Sequence, residues 1–200
     1  MNASGHEFRV AFLSVTTESD APDARLLERV RKGDLAALGE VYDAHHEHVR
    51  AFCQRFLGDE QAAEDLVQDT FLGLSAASSG FRGDSALRTF LIAIAVNRAK
   101  NHLRSAIRRR GLHERWHTQP ADSPEGPESS AQRRQLVDAL TRALDTLPPE
   151  QRVAIVLCEV EGRSSIEAAA ITGVPEGTIR TRIFHGKRKL REKLAQEGVR

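Results

Sequence analysis

The stretch that decides the fold of the second half of the chain is SSIEAAAITGVPEGTIRTR, residues 164–182. Ser164 and Glu167 have the spacing of a capping box, which marks the start of a helix. Gly173 supplies a flexible turn, and Pro175 suits the first turn of the helix that follows. A helix start, a tight turn and a second helix start within so short a stretch predict a helix-turn-helix.

The second helix of such a unit enters the major groove with its N-terminal end first, and basic residues continue along it. The side chains that we predict to reach base edges or phosphates there are Thr178, Arg180, Thr181, Arg182, Phe184, His185, Lys187 and Arg188. A small helical bundle whose charges are merely solvated would contain similar residues, but the basic run coincides with the motif. A stand-alone regulator that binds duplex DNA as a dimer would also contain such a unit.

Apolar residues recur at intervals of three and four along most of the remaining chain. They predict two consecutive helices between Leu26 and Phe56, and a third helix that is capped by Asp59. A long fourth helix would be capped by Asp84 or Ser85. No strand-like alternation accompanies these patterns, so the sequence predicts helices only.

The composition divides the chain into segments. Residues 112–131 are rich in Pro, Ser, Asp, Glu and Gly, which is typical of a linker and not of a packed segment. Residues 1–24 show no sustained period and are predicted to form a flexible N-terminal segment. We therefore predict an all-α chain of two small helical domains, 25–111 and 132–200, joined by a flexible linker. The helix-turn-helix lies in the second domain.

Charge is distributed unevenly, although the formal net charge is only +1. Residues 18–69 contain 13 acidic and 6 basic side chains, whereas residues 98–115 contain 7 basic side chains and 1 acidic one. A second basic run covers residues 180–193. This separation predicts two cationic surfaces, which is what binding to a phosphate backbone would require.

The cysteines and the hydropathy pattern indicate the compartment. Cys53 and Cys158 lie far apart and in no CxxC spacing, so neither a disulfide framework nor a zinc knuckle is expected. No run of about eighteen apolar residues occurs, and the N-terminus lacks the pattern of a signal peptide. We expect a cytoplasmic protein without membrane insertion and without a cofactor, which is a monomer when free.

Polar residues recur at threes and fours on one side of the predicted fourth helix, beside its apolar face. The members of this strip are Asn97, Lys100, Asn101, Arg104 and Arg108. Cationic groups in a row can follow a nucleic-acid backbone, and asparagine suits the edge of a base. A solvated helix face would have the same pattern, so the spacing alone leaves both interpretations open.

Four short segments stand out for their order along the chain. They are EDLVQDTF at 64–71, FRGDS at 81–85 followed by TFL at 89–91 and IAVN at 94–97, LPPEQR at 147–152, and VPEGTIRTRIF at 174–184. Together they resemble the extracytoplasmic-function group of the sigma-70 family of bacterial sigma factors. The resemblance implies a second and a fourth sigma region joined by a linker, without the third-region domain of larger sigma factors.

The resemblance also implies a function, which is to bind core RNA polymerase and direct it to promoters, without catalytic activity and with an anti-sigma factor as a further partner. The implied polymerase contacts are Asp65, Leu66, Gln68, Asp69 and Phe71. The implied contacts to the melted −10 element are Asp84, Ser85, Phe90, Asn97, Lys100, Asn101, Arg104 and Arg108, with residues 80–86 as a loop that receives a flipped base. The helix-turn-helix would read the duplex −35 element. Phe90, Asn101 and His185 replace residues that are more common in the family, namely Trp, Asp and Arg.

Two histidine patterns raise the alternative of a metal site. The stretch His113-Glu114-Arg115-Trp116-His117 satisfies H-E-x-x-H, but it lies between an arginine run and a Pro-rich linker, with no apolar helix to bury a zinc ion. His45 and His48 are three residues apart, yet His45 falls on the apolar face of its helix, where a packed residue is expected. We expect no bound metal at either pattern.

Overall fold

The computed structural model describes residues 21–81, 85–113, 136 and 139–198, with their side chains except those of 21 and 106–113. All regular elements in these ranges are helical, which confirms the all-α prediction. The first group of helices comprises α1 (Ala21–Arg31), α2 (Leu35–Leu57), α3 (Glu60–Leu72), α4 (Leu74–Ser78) and α5 (Leu87–His113). The second group comprises α6 (139–145), α7 (Pro149–Ile155) with one following π-helical turn (Val156–Val160), α8 (Ser165–Thr172) and α9 (Glu176–Gln196).

The starts of α3 and α5 show how far local sequence determines the helix ends. Asp59 caps α3 as predicted, because its side chain accepts a hydrogen bond from the Ala62 amide at 2.7 Å. α5 begins differently, since its first carbonyl acceptor is that of Ala86, which receives the amides three and four residues later. The prediction that Ser85 caps this helix is therefore wrong, and Asp84 lies outside the described residues.

The first group of helices encloses a core of aromatic and aliphatic side chains. Phe52, Phe56 and Phe90 are fully buried, and the rings of the first two stack with their centroids 5.9 Å apart. α5 contributes an unbroken buried run, Leu91–Val96. A helix that is apolar all round needs neighbours on every side. α2 and α3 cover one part of this run, and α7 and α8 cover another.

Apolar packing continues from the first group of helices into the second. Val153, Leu157, Ile171 and Ile179 belong to the same continuous cluster of buried residues as the core of α2 and α5. A smaller cluster between α6, α7 and α9 completes the second group. The two groups of helices therefore share one core, and this shared core determines how the candidate site is exposed.

Candidate nucleic-acid interface

α8, the turn after it and α9 form the predicted helix-turn-helix. The Ser164 Oγ accepts a hydrogen bond from the Glu167 amide at 3.2 Å, and the Ser164 amide donates to Glu167 Oε2 at 2.8 Å, which completes the capping box. Gly173 ends α8 with a φ of 69°, a left-handed conformation that favours glycine. Pro175 stands at the N-cap of α9, one residue before the first helical turn.

One buried face fixes the orientation of α9. Ile179 is fully buried, and Gly186 lies so close to α7 that a Cβ atom there would stand 2.9 Å from Ile155 Cγ1. The opposite face is exposed and carries Arg180, Thr181, Phe184 and Arg188. The side chain of Phe184 is 65% exposed. The packing of α9 thus directs both basic and apolar groups to the outer surface of the helix-turn-helix.

Hydrogen bonds between three polar side chains link α8 to α9. Ser165 Oγ donates to Glu176 Oε1 at 2.6 Å, and the same oxygen accepts from Arg180 Nη2 at 2.7 Å. The hydrogen bond from Ser165, followed by that from Arg180, lowers the pKa of the Glu176 carboxyl. Glu176 therefore holds the Arg180 guanidinium near the start of α9. Glu176 is not among the residues predicted for the site, although its position four residues before Arg180 indicates such a pair.

The remaining predicted residues of α9 are less accessible. Those that are half-buried are Thr178, Arg182, His185 and Lys187. Lys187 Nζ lies 2.6 Å from Glu159 Oε2 in the π-helical turn, and Arg188 Nε lies 3.7 Å from Glu192 Oε1 within α9. Surface ion pairs of this kind contribute at most about 1 kcal/mol, so both cations can exchange a carboxylate for a phosphate.

The polar residues of α5, which we call the α5 strip, are only partly open to solvent. Asn101 and Arg104 are exposed, whereas Asn97 and Lys100 are half-buried, and the side chain of Arg108 lies outside the described residues. Asn97 Nδ2 donates to the Ala93 carbonyl at 2.9 Å. This bond uses one of the two hydrogens on Nδ2, so Asn97 Oδ1 and the second hydrogen can still contact a base.

The cations of the α5 strip face the second group of helices. Arg104 Nη2 lies 2.5 Å from Glu150 Oε1 of α7. Burial lowers the pKa of the Lys100 ammonium, the positive charges of Arg104 and Arg182 lower it further, and Glu150 opposes them. Lys100 and Arg182, which the resemblance assigns to different promoter elements, therefore lie near each other.

The start of α5 is built around Phe90. This side chain is fully buried, and its ring packs against that of Phe81 with the centroids 4.9 Å apart. Ser85 is buried as well, with 4% exposure. Phe90 and Ser85 are therefore buried at the start of α5, where they stabilise the fold. Asp84 lies outside the described residues.

The residues of α3 that the resemblance assigns to polymerase docking divide into two sets. Asp65, Gln68 and Asp69 are exposed on the outer face of the helix. Leu66 and Phe71 are buried in the core, with exposures of 3% and 4%. The acidic and amide groups can therefore meet a partner directly, while Leu66 stabilises the helix that presents them.

An apolar groove lies beside this acidic face, between α2 and α3. It has a volume of about 400 Å³ and is lined by Leu35, Leu38, Gly39, Tyr42, Gln68, Phe71 and Leu72. Leu35 and Leu72 are the most exposed of these apolar side chains, at 79% and 75%. The groove could not be predicted from the sequence, because its two walls come from different helices and depend on how those helices pack.

The structure describes only one of the two histidine patterns, His45 and His48. No group of three or more His, Cys, Asp or Glu side chains in the described ranges could hold an ion. His45 and His48 are half-buried on α2, and the side chains of the H-E-x-x-H stretch lie outside the described residues. Among the helices that the structure describes, none is both long and apolar enough to cross a membrane.

Comparisons with known proteins identify both groups of helices. Residues 41–109 match the family model for Sigma-70 region 2, and residues 138–190 match the model for Sigma-70, region 4. The chain is 33% identical over 190 residues to the RNA polymerase sigma-H factor of Pseudomonas aeruginosa, covering 86% of this chain and 93% of that relative. It is 35% identical over 185 residues to the ECF RNA polymerase sigma-E factor of Escherichia coli, covering 86% and 94%.

Two solved structures are similar in fold. The sigma factor RpoE of Bartonella quintana, in complex with the anti-sigma factor NepR, has a TM-score of 0.57 and 28% identity over 78% of this chain and 96% of that chain. CnrH in complex with the cytosolic domain of CnrY has the same TM-score and 24% identity, over 87% and 97%, which shows the fold alone. The matches to region 2 and region 4 together decide against a solvated bundle and against a stand-alone regulator. The chain belongs to the extracytoplasmic-function group of the sigma-70 family and is a sigma factor for transcription initiation by RNA polymerase.

Proposed function

We propose that this sigma factor reads the duplex −35 element with α9 and the melted −10 element with the α5 strip, while α3 and the adjoining groove dock on core RNA polymerase. Hereafter α1–α5 are region 2 and α6–α9 are region 4. The observation that carries the proposal is the outer face of α9, where Arg180, Thr181 and Arg188 accompany the exposed ring of Phe184.

Recognition of the −35 element would use the N-terminal half of α9. A guanidinium can donate to both acceptors on the major-groove edge of a guanine, and an apolar ring can pack on a thymine methyl. Arg180 and Phe184 are one helical turn apart on the same exposed face, so both can reach neighbouring base pairs. Lys187 and Arg188 follow toward the C-terminal end, where they would contact phosphates.

Recognition of the −10 element would use the α5 strip after the strands separate. Single-stranded DNA is bound by cations that follow its backbone and by side chains that contact exposed bases. Lys100 and Arg104 supply the cations, and Asn97 offers an amide oxygen to a base. The 80–86 loop, at the N-terminal end of α5, stays our prediction for the pocket that receives a flipped base.

Docking on core polymerase would combine the acidic face of α3 with the neighbouring groove. An apolar contact that is surrounded by charge gives both affinity and correct orientation. Leu35 and Leu72 stand exposed at the groove, and Asp65 and Asp69 lie exposed on the adjoining helix. The matching surface on polymerase would be an apolar ridge with basic side chains beside it.

The proposal includes an anti-sigma partner, because the similar RpoE chain was solved in complex with such a protein. It also includes action in the cytoplasm, where core RNA polymerase is found, and no catalytic activity of the chain itself. Polymerase carries out RNA synthesis, and the residues of this chain would contribute binding and orientation only.

Run-off transcription with purified core polymerase and a library of promoter templates tests the proposed function. We expect initiation from a subset of templates that share two sequence elements, one for each region. No initiation above that of core polymerase alone on any template would overturn the proposal.

The docking surface can be tested separately with the variant L35E/L72E. Two carboxylates in an apolar contact should weaken the binding of core polymerase by about tenfold or more, because burial of each charge is unfavourable. L140E is the matched control, since Leu140 is another leucine that is exposed, at 42%, but lies on α6. Equal polymerase affinity of L35E/L72E and L140E in a titration of labelled protein would rule out the groove as the docking surface.

A further inference from the structure

A carboxylate stands at the end of α9 that would enter the major groove. Glu176 is the first residue of α9, and Arg180 and Phe184 follow it at intervals of four residues along the helix. The backbone of DNA is lined with phosphates, so a carboxylate at this end opposes the general attraction between α9 and DNA. The charge of Glu176 would by itself weaken binding, and its place in the helix therefore needs another reason.

Glu176 is anchored to α8, which distinguishes it from an ordinary surface carboxylate. Its Oε1 accepts a hydrogen bond from Ser165 Oγ at 2.6 Å, and its side chain is 35% exposed. Another arginine–glutamate pair with four-residue spacing on α9 joins Arg188 to Glu192. There the side chain of Glu192 is 64% exposed, and its Oε1 lies 3.7 Å from Arg188 Nε, which is beyond hydrogen-bonding distance. Glu176 is therefore the more firmly positioned of the two carboxylates.

The bonds between Arg180 and Glu176 engage one edge of the planar guanidinium. Arg180 Nε donates to Glu176 Oε1 at 3.1 Å, and Arg180 Nη2 donates to the same oxygen at 2.7 Å. The outer edge is formed by Nη1 and the second N–H of Nη2, and the side chain is 70% exposed. A guanine presents two acceptors, N7 and O6, that match such an edge. Arg180 can therefore keep its bonds to Glu176 while it binds a guanine.

We infer that Glu176 is a positioning residue for base recognition: anchored by Ser165, it directs the outer edge of Arg180 toward a guanine of the −35 duplex. This inference rests on the function proposed above. Side chains of a helix lean toward its N-terminus, so the guanidinium lies over the turn that would enter the groove. A long side chain loses rotamer freedom when it binds. Because Glu176 restricts Arg180 before DNA arrives, it favours the bidentate contact with a base over loose contacts with phosphates.

Competitive run-off transcription tests whether Glu176 acts on base recognition. Core polymerase and the full chain receive two templates of different length, one selected from the promoter library and one with a single base pair changed in its −35 element. The preference is the ratio of the two transcripts, and R180A identifies the base pair at which the preference depends on Arg180. We expect E176A to lower the preference at that base pair by about fivefold, the lower end of what a bidentate contact contributes, and to leave the other base pairs unchanged.

A role in helix stability alone gives a different result. A carboxylate in the first turn of a helix interacts favourably with the helix dipole, so its loss would lower transcription from every template by one common factor. The preference would then be unchanged. An unchanged or increased preference of E176A at the base pair that depends on Arg180 would overturn the inference.

Two conservative variants test the anchor and the carboxylate separately. S165A leaves the pair of Glu176 and Arg180 in place but removes the hydrogen bond from α8, so part of the preference should be lost. E176Q keeps the length of the side chain and an oxygen that can accept the same bonds, so it should retain more of the preference than E176A does. A preference of S165A equal to that of the unmodified chain would contradict the anchor, and E176Q no better than E176A would contradict alignment through this oxygen.

E192A is the matched control, because it also removes a glutamate that neighbours an arginine on α9. We expect its preference to equal that of the unmodified chain. The double variant E176A/R180A should show no greater loss than R180A, because both residues act through one contact. A loss in E192A as large as that in E176A, or a further loss in the double variant, would overturn the positioning role.

Side-chain NMR of the full chain without DNA gives a result that does not depend on promoter recognition. The Nε–H group of Arg180 is hydrogen-bonded to a carboxylate, so it should exchange with water more slowly than that of Arg188. We expect E176A to abolish this difference and E192A to preserve it. An Arg180 signal that E176A leaves unchanged would overturn the inference. If the unmodified chain initiates from no template, it is the proposed function that fails, whereas the Nε–H signal still reports whether Glu176 holds Arg180.

Discussion

Region 2 and region 4 differ in what holds the cations among their proposed DNA-binding residues. In region 4, the outer face of α9 is exposed, and its orientation is fixed by the buried residues Ile179 and Gly186 and by the hydrogen bonds of Ser165 and Arg180 to Glu176. In region 2, Lys100 is half-buried and Arg104 is paired with a carboxylate of the other region. Arg180 of α9 is therefore held by a partner within the helix-turn-helix, whereas the partner of Arg104 of α5 lies in the other region.

The difference originates in the apolar patterns of α5 and α9. α5 is buried all round over Leu91–Val96, so it needs a cover on the side that α2 and α3 do not reach. α9 is fully buried only at Ile179 and Gly186, so one contact face is sufficient for it. Region 4 supplies the cover that α5 needs, and its Glu150 pairs with Arg104 of the α5 strip.

The largest effect on this comparison is expected from Arg180. R180A should weaken the binding of a −35 duplex by the free chain by about 1–3 kcal/mol, or roughly 5–150-fold, because a contact to a base edge is lost. R104A should reduce run-off transcription but leave this duplex affinity unchanged, since Arg104 lies on α5 and is paired with Glu150. Fluorescence anisotropy with a duplex selected from the promoter library measures the affinity.

R142A is the matched control for the loss of a surface arginine in region 4. Arg142 is exposed on α6 and pairs with Glu197 at 3.1 Å, away from the outer face of α9. We expect its duplex affinity to equal that of the unmodified chain. If R180A and R142A weakened binding equally, the free chain would be held by general electrostatic attraction, and base recognition by α9 would be contradicted.

Local chemistry made the helix-turn-helix predictable. The capping pair Ser164 and Glu167, the left-handed glycine at 173 and the cap at Asp59 all depend on residues within a few positions of each other. Of the two residues predicted to cap α5, Ser85 does not do so, although a serine just before an apolar helix suggests a cap. Tertiary packing buries Ser85, and the carbonyl of Ala86 accepts the first helical hydrogen bonds.

The contacts between distant segments were beyond sequence reasoning. Arg104 and Glu150 are 46 residues apart, and neither shows a local pattern that indicates the other. The groove is lined by residues of both α2 and α3, among them the exposed Leu35 and Leu72, so it depends on how the two helices pack. Apolar periodicity predicted one buried side for α5, whereas the continuous burial of Leu91–Val96 depends on helices from both regions.

A second, smaller effect is expected from the two helix caps, one in each region. D59A and S164A should each reduce the free energy of unfolding by about 1 kcal/mol, because a side chain that satisfies a backbone amide is removed. Since the regions share one core, both variants should shift the same cooperative transition in urea, followed by circular dichroism.

S79A is the control for the caps, because Ser79 is exposed and its hydroxyl donates to the Ala76 carbonyl at 3.1 Å instead of accepting from a backbone amide at a helix start. We expect a change within about 0.5 kcal/mol for this variant. Two separate unfolding transitions, with S164A shifting one and D59A shifting the other, would show that the regions fold independently and that the shared core contributes little.

The smallest effect concerns the pH dependence that His45 and His48 of α2 give to stability. Burial is the largest effect, and it lowers the pKa of both imidazoles from 6.5. At His45, Arg88 lowers the pKa further and Asp23 raises it. At His48, Arg88 and Arg163 of region 4 lower the pKa further and Glu161 raises it. His48 Nε2 is buried without a hydrogen-bond partner among the described residues. The folded chain therefore resists protonation more than the unfolded chain does.

This difference fixes the sign of the pH effect. As the pH falls below about 6.5, the unfolded chain binds protons first, so stability that is present above that pH is lost toward the lower folded pKa values. The loss should be no more than about 1 kcal/mol in total, because both rings are partly exposed to solvent. In H45Q/H48Q, urea unfolding at about pH 7 and about pH 5.5 should show a flatter dependence than in the unmodified chain. Equal slopes in the two proteins would mean that carboxylates alone set the acid sensitivity.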